Sequence, residues 1–149
     1  MRLEDEIQQK QFKDEYQKLA VNLIYTGNWT KQLHADFLKS HKLTLQQYNI
    51  LRILRGQYPN PATVNLLIER MLDKMSNASR LVEKLRQKKL VERRENANDR
   101  RQADVIITEK GLELLSLIDG GLVMTQSKLN TLDVNEAKQL NDLLDKLRG

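Results

Sequence analysis

The chain has 149 residues, 25 Lys and Arg against 20 Asp and Glu, a net charge of +5, no cysteine, and 40% hydrophobic but only 5% aromatic residues. That profile fits one soluble, mostly helical domain with a proper core, and excludes disulfides, thiol catalysis, an all-β fold and a disordered chain. No apolar run approaches the roughly 20 residues of a membrane span, and the polar, partly acidic "MRLEDEIQQKQF" reads as no secretion signal. A cytoplasmic protein with no membrane partner is expected.

Residues 9–39 read as one long helix. Phe12, Tyr16, Leu19, Leu23, Trp29, Leu33 and Phe37 recur at helical spacing, with a possible break at Gly27–Asn28. "KLTLQQYNILRIL" restarts helix. Thr44 and Gln47 have the spacing at which each side chain closes the other's free backbone donor. "YPNPAT" ends it, because neither proline can extend a helix.

A short helix over about 64–71 follows. The next spans about 74–88, with Asp73 as its expected N-cap. Met75, Ala78, Leu81, Val82 and Leu85 share its apolar face, while Ser76, Asn77, Arg80 and Lys84 share the polar one. Strands are expected over 90–95 and 102–107, the second from the alternation of Ala103, Val105 and Ile107 with Gln102 and Asp104. The loop between them carries "NDRR". Thr108 caps the following helix. Leu115, Ile118, Leu122, Thr125, Leu129 and Leu132 then form a heptad-like seam, interrupted by Gly120–Gly121, which serve for a close helix approach or a bend. Asp133 and Glu136 open a last helix with Ala137, Leu140, Leu144 and Leu147 on its apolar face.

Residues 69–104 hold 11 Lys and Arg against 7 Asp and Glu, whereas residues 105–149 hold 5 against 7. A basic middle favours a polyanion partner. The order helix, helix, polar-faced helix, strand, arginine-tipped loop, strand is that of a helix-turn-helix followed by a wing. It suits duplex DNA: a major groove admits one helix, and short polar side chains on its outer face reach base edges. A guanidinium on the wing tip suits the negative potential of the minor groove.

Three stretches, "LTLQQYNILRIL", "SNASRLVEKLRQKKLVERR" and "DRRQADVIITEKG", carry a resemblance to the MarR family of winged helix-turn-helix regulators. The last is the most specific, with D-x-R, an alternating strand and T-x-K-G in succession. The resemblance implies a mainly α fold with a small two-to-three-stranded β wing, one regulator unit over 1–149. It places a DNA-binding winged helix-turn-helix at 44–107 and dimerisation helices at 9–39 and 109–149. It implies a homodimer on palindromic promoter DNA, usually repressing, often released by a small-molecule effector. Carried over, Ser76, Asn77 and Arg80 are base readers on the recognition helix, with Lys84 on the same polar face and Lys74 and Ser79 nearer phosphate. Asp99 braces the wing loop and fixes the direction of the Arg101 guanidinium, which enters the minor groove. Arg94, Asn98 and Arg100 contact the backbone. One departure stands out: where the family commonly has a glycine before the wing, this chain has Lys88 and Lys89.

Tyr25, Trp29 and Tyr48 are weak candidates for an effector pocket, ordinary packing being the simpler role. His34 and His41, without cysteine, make a poor zinc site even with Asp36. No nucleophile–base pair, phosphate loop or metal motif is present, so no catalytic residue, cofactor or metal is expected. Two other readings stay open: a helical protein-interaction module, and a non-specific architectural DNA binder.

Overall fold

In the computed structural model of the chain, residues 1–99, 101–126 and 129–149 are described, the side chains of 122–126 excepted. The elements are α1 (Leu3–Glu6), α2 (Glu15–Lys39), α3 (Leu45–Gln57), β1 (Ala62–Thr63), α4 (Val64–Arg70), α5 (Ala78–Gln87), β2 (Val91–Glu95), β3 (Ala103–Ile107), α6 (Glu109–Gln126) and α7 (Val134–Arg148). The fold is mainly helical, with one small antiparallel sheet in the order β1-β3-β2. Val91 pairs with Ile107 and Glu95 with Ala103, while Ala62 pairs with Val105 on the other edge.

The core lies between α3, α4, α5, α6 and the sheet. Ile50, Leu51, Leu54, Leu67, Val82, Leu85, Val91, Val105, Leu115 and Ile118 are all buried in it. It is mostly aliphatic, in keeping with the low aromatic content, with Tyr48 its buried aromatic member. α2 packs along α3 and α6, and Arg55 on α3 forms an ion pair with Asp119 on α6 at 2.5 Å. Gly121 makes the α2–α6 approach possible: a Cβ there would stand 2.6 Å from the Phe37 ring.

Several elements differ from the sequence reading. The first long helix begins at Glu15, because Asp14 accepts the Gln17 N–H at 2.8 Å and caps it there. Residues 3–6 instead form a separate turn of helix, anchored by buried Leu3. No break occurs at Gly27–Asn28; α2 runs through them. Asn77, not Asp73, caps α5, accepting the Arg80 N–H at 3.0 Å. The Asp73 carboxylate accepts the Met75 N–H at 3.1 Å instead. Met75 therefore lies outside the helix and, at 93% exposed, off the buried face. Leu115 and Ile118 are buried as the seam requires, but α6 ends at Gln126, and Leu129 and Leu132 are exposed in the turn beyond it. Leu122 and Thr125 fall outside the described side chains. β1 went unread because two residues show no alternation.

The capping boxes at Thr44–Gln47 and Asp133–Glu136 both form. Of the two lysines ahead of the wing, Lys89 is the one in the left-handed region, with φ +60°. Its N–H bonds to the Arg86 carbonyl at 2.8 Å, and the Leu90 N–H to the Leu85 carbonyl at 3.0 Å. This pair of bonds ends α5 in a Schellman turn whose left-handed residue is usually glycine.

Candidate nucleic-acid interface

Thr63 opens α4, its side chain accepting the Leu66 N–H at 3.2 Å. The chain then turns at Asp73 and enters α5 at Asn77. Met71 and Ala78 are buried on either side of this turn, which seats both helices on the core. α5 shows Ser79, Arg80 and Lys84 to solvent while Ala78, Val82 and Leu85 face inward. Asn77 is exposed, yet its amide oxygen is engaged at the cap. Ser76 is half-buried. Lys74 folds back, its ammonium donating to the Glu69 carbonyl at the end of α4.

The cations of this region are not equivalent. Arg86 lies in a two-bond pair with Glu83, at 2.9 and 2.8 Å. That pairing raises the Arg86 pKa and lowers that of Glu83. Arg94 is paired with Glu92 at 2.6 Å. Arg80, Lys84 and Arg101 form no ion pair among the described residues, so their charge is available to an outside anion.

Behind α5, Lys88 is half-buried. Its ammonium donates to the Lys42 carbonyl at 2.5 Å and to the side-chain oxygen of buried Gln47 at 3.2 Å. Burial, then the charge of Lys84, holds the Lys88 pKa below its usual value. The T-x-K-G stretch locks the wing to this same end of α5. Thr108 donates its hydroxyl to the Lys89 carbonyl at 2.9 Å and its N–H to the Leu90 carbonyl at 3.1 Å. Lys110 donates to the Lys88 carbonyl at 3.2 Å. A Cβ on Gly111 would meet the Leu90 carbonyl at 2.5 Å.

The wing tip is organised by two short side chains. The Asn96 amide oxygen accepts the N–H groups of Asn98 and Asp99, each at 2.9 Å, and its NH2 donates to Asp104 at 2.8 Å. One Asp99 oxygen accepts the Arg101 backbone N–H at 2.9 Å and the other accepts from the Gln102 side chain at 3.2 Å. Asp99 thus ties the loop through the backbone of Arg101 and not through its guanidinium. Asn98 and Arg101 are exposed, and Arg93, Arg94 and Arg101 border a small cleft of about 360 Å³ on the wing. Arg100 lies outside the described residues. Asn96 was not singled out from the sequence; the signal was there in its position two and three residues ahead of the N–H groups it receives, the spacing of an Asx turn.

A larger cleft, about 1370 Å³, opens between α2, the start of α3, the turn at Leu72–Lys74 and the last turns of α5. Leu23, Leu45 and Leu72 give it apolar surface, and Lys31, Lys42 and Lys84 are among the lysines on its rim. Tyr25, Trp29 and Tyr48 do not line it. Tyr25 donates its hydroxyl to Glu6 at 2.8 Å, Trp29 is half-buried on α2, and Tyr48 is buried, with the Arg52 guanidinium 5.9 Å from its ring centre. His34 Nδ1 lies 2.8 Å from the Thr30 carbonyl and His41 packs edge-on against Phe37. No group of three or more His, Asp or Glu is placed to hold a metal among the described residues, and no helix among them is long and apolar enough to cross a membrane.

The sequence pattern of the MarR family matches residues 41–102. No curated protein sequence matches the chain. Its fold is similar to that of a MarR transcription factor from Planctomyces limnophilus, at 26% identity and TM-score 0.71 over 91% of this chain and 98% of that one. It is also similar to an E. coli MarR variant complexed with operator DNA, at 22% identity and TM-score 0.79 over 93% and 99%. A third similar structure is BpsR of Bordetella bronchiseptica, at 21% identity and TM-score 0.76 over 89% and 99%, whose DNA binding is regulated by 6-hydroxynicotinic acid. Residues 41–102 thus match the MarR family pattern, and the chain as a whole is similar in fold to MarR-family regulators.

Proposed function

We propose that the protein is a sequence-specific duplex-DNA-binding transcriptional regulator that works in the cytoplasm as a homodimer and represses from palindromic promoter sites. The observation that carries this reading is the pairing of a recognition helix exposing Ser79, Arg80 and Lys84 with a wing whose tip is tied so that Arg101 stands out from it. Arg80 is the base-reading arginine, since a guanidinium fits the paired acceptors of guanine in the major groove. Lys84, Ser79 and Asn98 serve the phosphates. Ser76 and Asn77, half-buried and capping respectively, act at the groove through what their anchored geometry leaves exposed. Lys74, Arg94 and Arg100 complete the backbone contacts; Lys74 and Arg94 first release Glu69 and Glu92.

The dimer reading rests on apolar surface with nothing to cover it. Tyr16, Leu19, Leu23 and Ile24 on α2 and Leu140, Leu143 and Leu147 on α7 are exposed, and no residue of α7 is buried. The effector reading rests on the large cleft, which is walled partly by α2 and partly by α5. A molecule bound there touches both the helix that pairs protomers and the one that reads DNA. BpsR, whose fold is similar, has its DNA binding regulated by a small molecule, 6-hydroxynicotinic acid.

Selection of bound sequences from random duplex DNA tests the core of this reading. A palindromic consensus with half-sites about one helical turn apart is expected. Recovery of unenriched DNA would make the protein an architectural binder, and failure to retain DNA at low salt would leave a protein-interaction module.

A further inference from the structure

We propose that Met75, held in solvent by the Asp73 turn just ahead of the α5 cap, packs on a thymine 5-methyl group in the major groove. This inference rests on the DNA-binding reading and adds to it a determinant of sequence preference.

Met75 is 93% exposed, although its neighbours Met71 and Ala78 are buried at 2% each. Its backbone is fixed all the same. Its N–H is bound by the Asp73 carboxylate at 3.1 Å, the Ser76 N–H by the Asp73 carbonyl at 3.2 Å, and the helix cap begins two residues later at Asn77. An unbranched apolar side chain is thereby held at the N-terminal end of the recognition helix, the end that meets base edges when such a helix enters a major groove. From Asp73 to Arg80 the chain carries two cations, Lys74 and Arg80, against one carboxylate, Asp73, which accepts the Met75 N–H. The surroundings therefore attract a polyanion, which speaks against an apolar protein partner.

The other large exposed apolar residues fall mostly on α2, α6 and α7, the surface assigned to the second protomer. Leu72 lines the large cleft; Met75 does not. Of the groups a major groove displays, the thymine methyl is the apolar one. A flexible, polarisable thioether adapts to it without demanding one approach angle.

The experiment uses the full-length protein and a duplex that the wild type has selected. Each thymine is replaced in turn by deoxyuridine, which removes only the 5-methyl group. At one thymine in each half-site the wild type is expected to lose about fourfold in affinity, the weight of one buried methyl. Met75→Ala is expected to bind the thymine duplex about as weakly as the wild type binds the uracil one, and to be indifferent to that replacement. Met75→Leu is expected to restore part of the discrimination. Equal losses in wild type and Met75→Ala at every thymine, or a wild type insensitive to all of them, would overturn the assignment and leave DNA binding standing. Slower sedimentation of free Met75→Ala than of wild type would also overturn it, by placing Met75 against a second copy. A wild type that selects no duplex removes the DNA-binding reading and this one together.

Discussion

Lys89 shows what one residue can be made to bear. Its φ of +60° puts an L side chain in the left-handed region, which costs roughly 1–2 kcal/mol for a residue with a Cβ. Glycine pays part of that back in unfolded-state entropy. Lys89→Gly is therefore expected to stabilise the protein by about 1 kcal/mol, read as a higher urea midpoint with an unchanged slope. A lower midpoint would mean that the lysine side chain contributes more than its backbone strain costs. Asp99 and Arg101 act at the same scale but on binding. Because Asp99 holds the Arg101 backbone and leaves the guanidinium to solvent, its removal should loosen the loop. Arg101→Ala should weaken binding most on sites with A·T-rich flanks, whose narrow minor groove has the stronger negative potential. Asp99→Ala should show a smaller loss of the same pattern, although it removes a negative charge. Tighter binding by Asp99→Ala on all flanks would reduce the tip to a diffuse positive patch.

At the scale of elements, the wing and α5 are joined at a seam. Thr108, Lys110 and Gly111 all meet the carbonyls of residues 88–90, where α5 ends and β2 begins. Gly111→Ala would press a methyl against the Leu90 carbonyl and the Ile107 side chain, neither of which can rotate away as a surface side chain can. A loss of about 1–3 kcal/mol is expected, seen as a lower melting temperature. A neutral Gly111→Ala would show that α6 can slide along the sheet. The turn ahead of α5 carries a pH dependence. The Met75 N–H, then Ser76 and Gln46, hold the Asp73 carboxyl below its usual range. A carboxylate lowered by folding contributes stability that is fully present above its unfolded pKa of about 3.9 and lost as pH falls through the lower folded value. Wild type should therefore melt above Asp73→Asn at pH 6, and the gap should close below about pH 4. A gap that persists in acid would assign the difference to shape and not to charge.

For the whole molecule, the question is what covers α2 and α7. An exposed amphipathic helix with leucines in solvent is stable when another surface takes its apolar face, and a second copy offers the same face in return. Sedimentation at micromolar concentration should show a dimer. Leu143→Glu, at a site 63% exposed in the single chain, should split it while leaving helicity near normal. A stable wild-type monomer would sink the architecture. If the dimer neutralises about 6–10 phosphates, its affinity for DNA should fall about 10³–10⁵-fold between 50 and 200 mM salt; a flat response would mean that the exposed cations of α5 and the wing are not the footprint.

What the chain determines by itself is what its neighbours in sequence can decide. The Thr44–Gln47 box forms as read, because donor and acceptor lie three residues apart and meet in one turn, and Asp133 and Glu136 open the last helix as read, there closing a box of their own. The alternation of Ala103, Val105 and Ile107 makes β3, because a strand with one buried face needs only that period. The cations of the candidate interface were legible for the same reason: Arg80 and Lys84 follow one helical face. Tertiary structure decided the rest. Asp73 and Asn77 are equally good caps locally, and the choice fell to Asn77 because the link between buried Met71 and buried Ala78 has to turn, and residues spent on a turn cannot be helical. That choice exposed Met75 and engaged Asn77. The β1 strand exists only because β3 brings Val105 and Asp104 alongside Ala62 and Thr63. Gly121 has its meaning only against Phe37, 84 positions earlier in the chain. These contacts join groups far apart in sequence, and no local pattern records which distant surface will arrive.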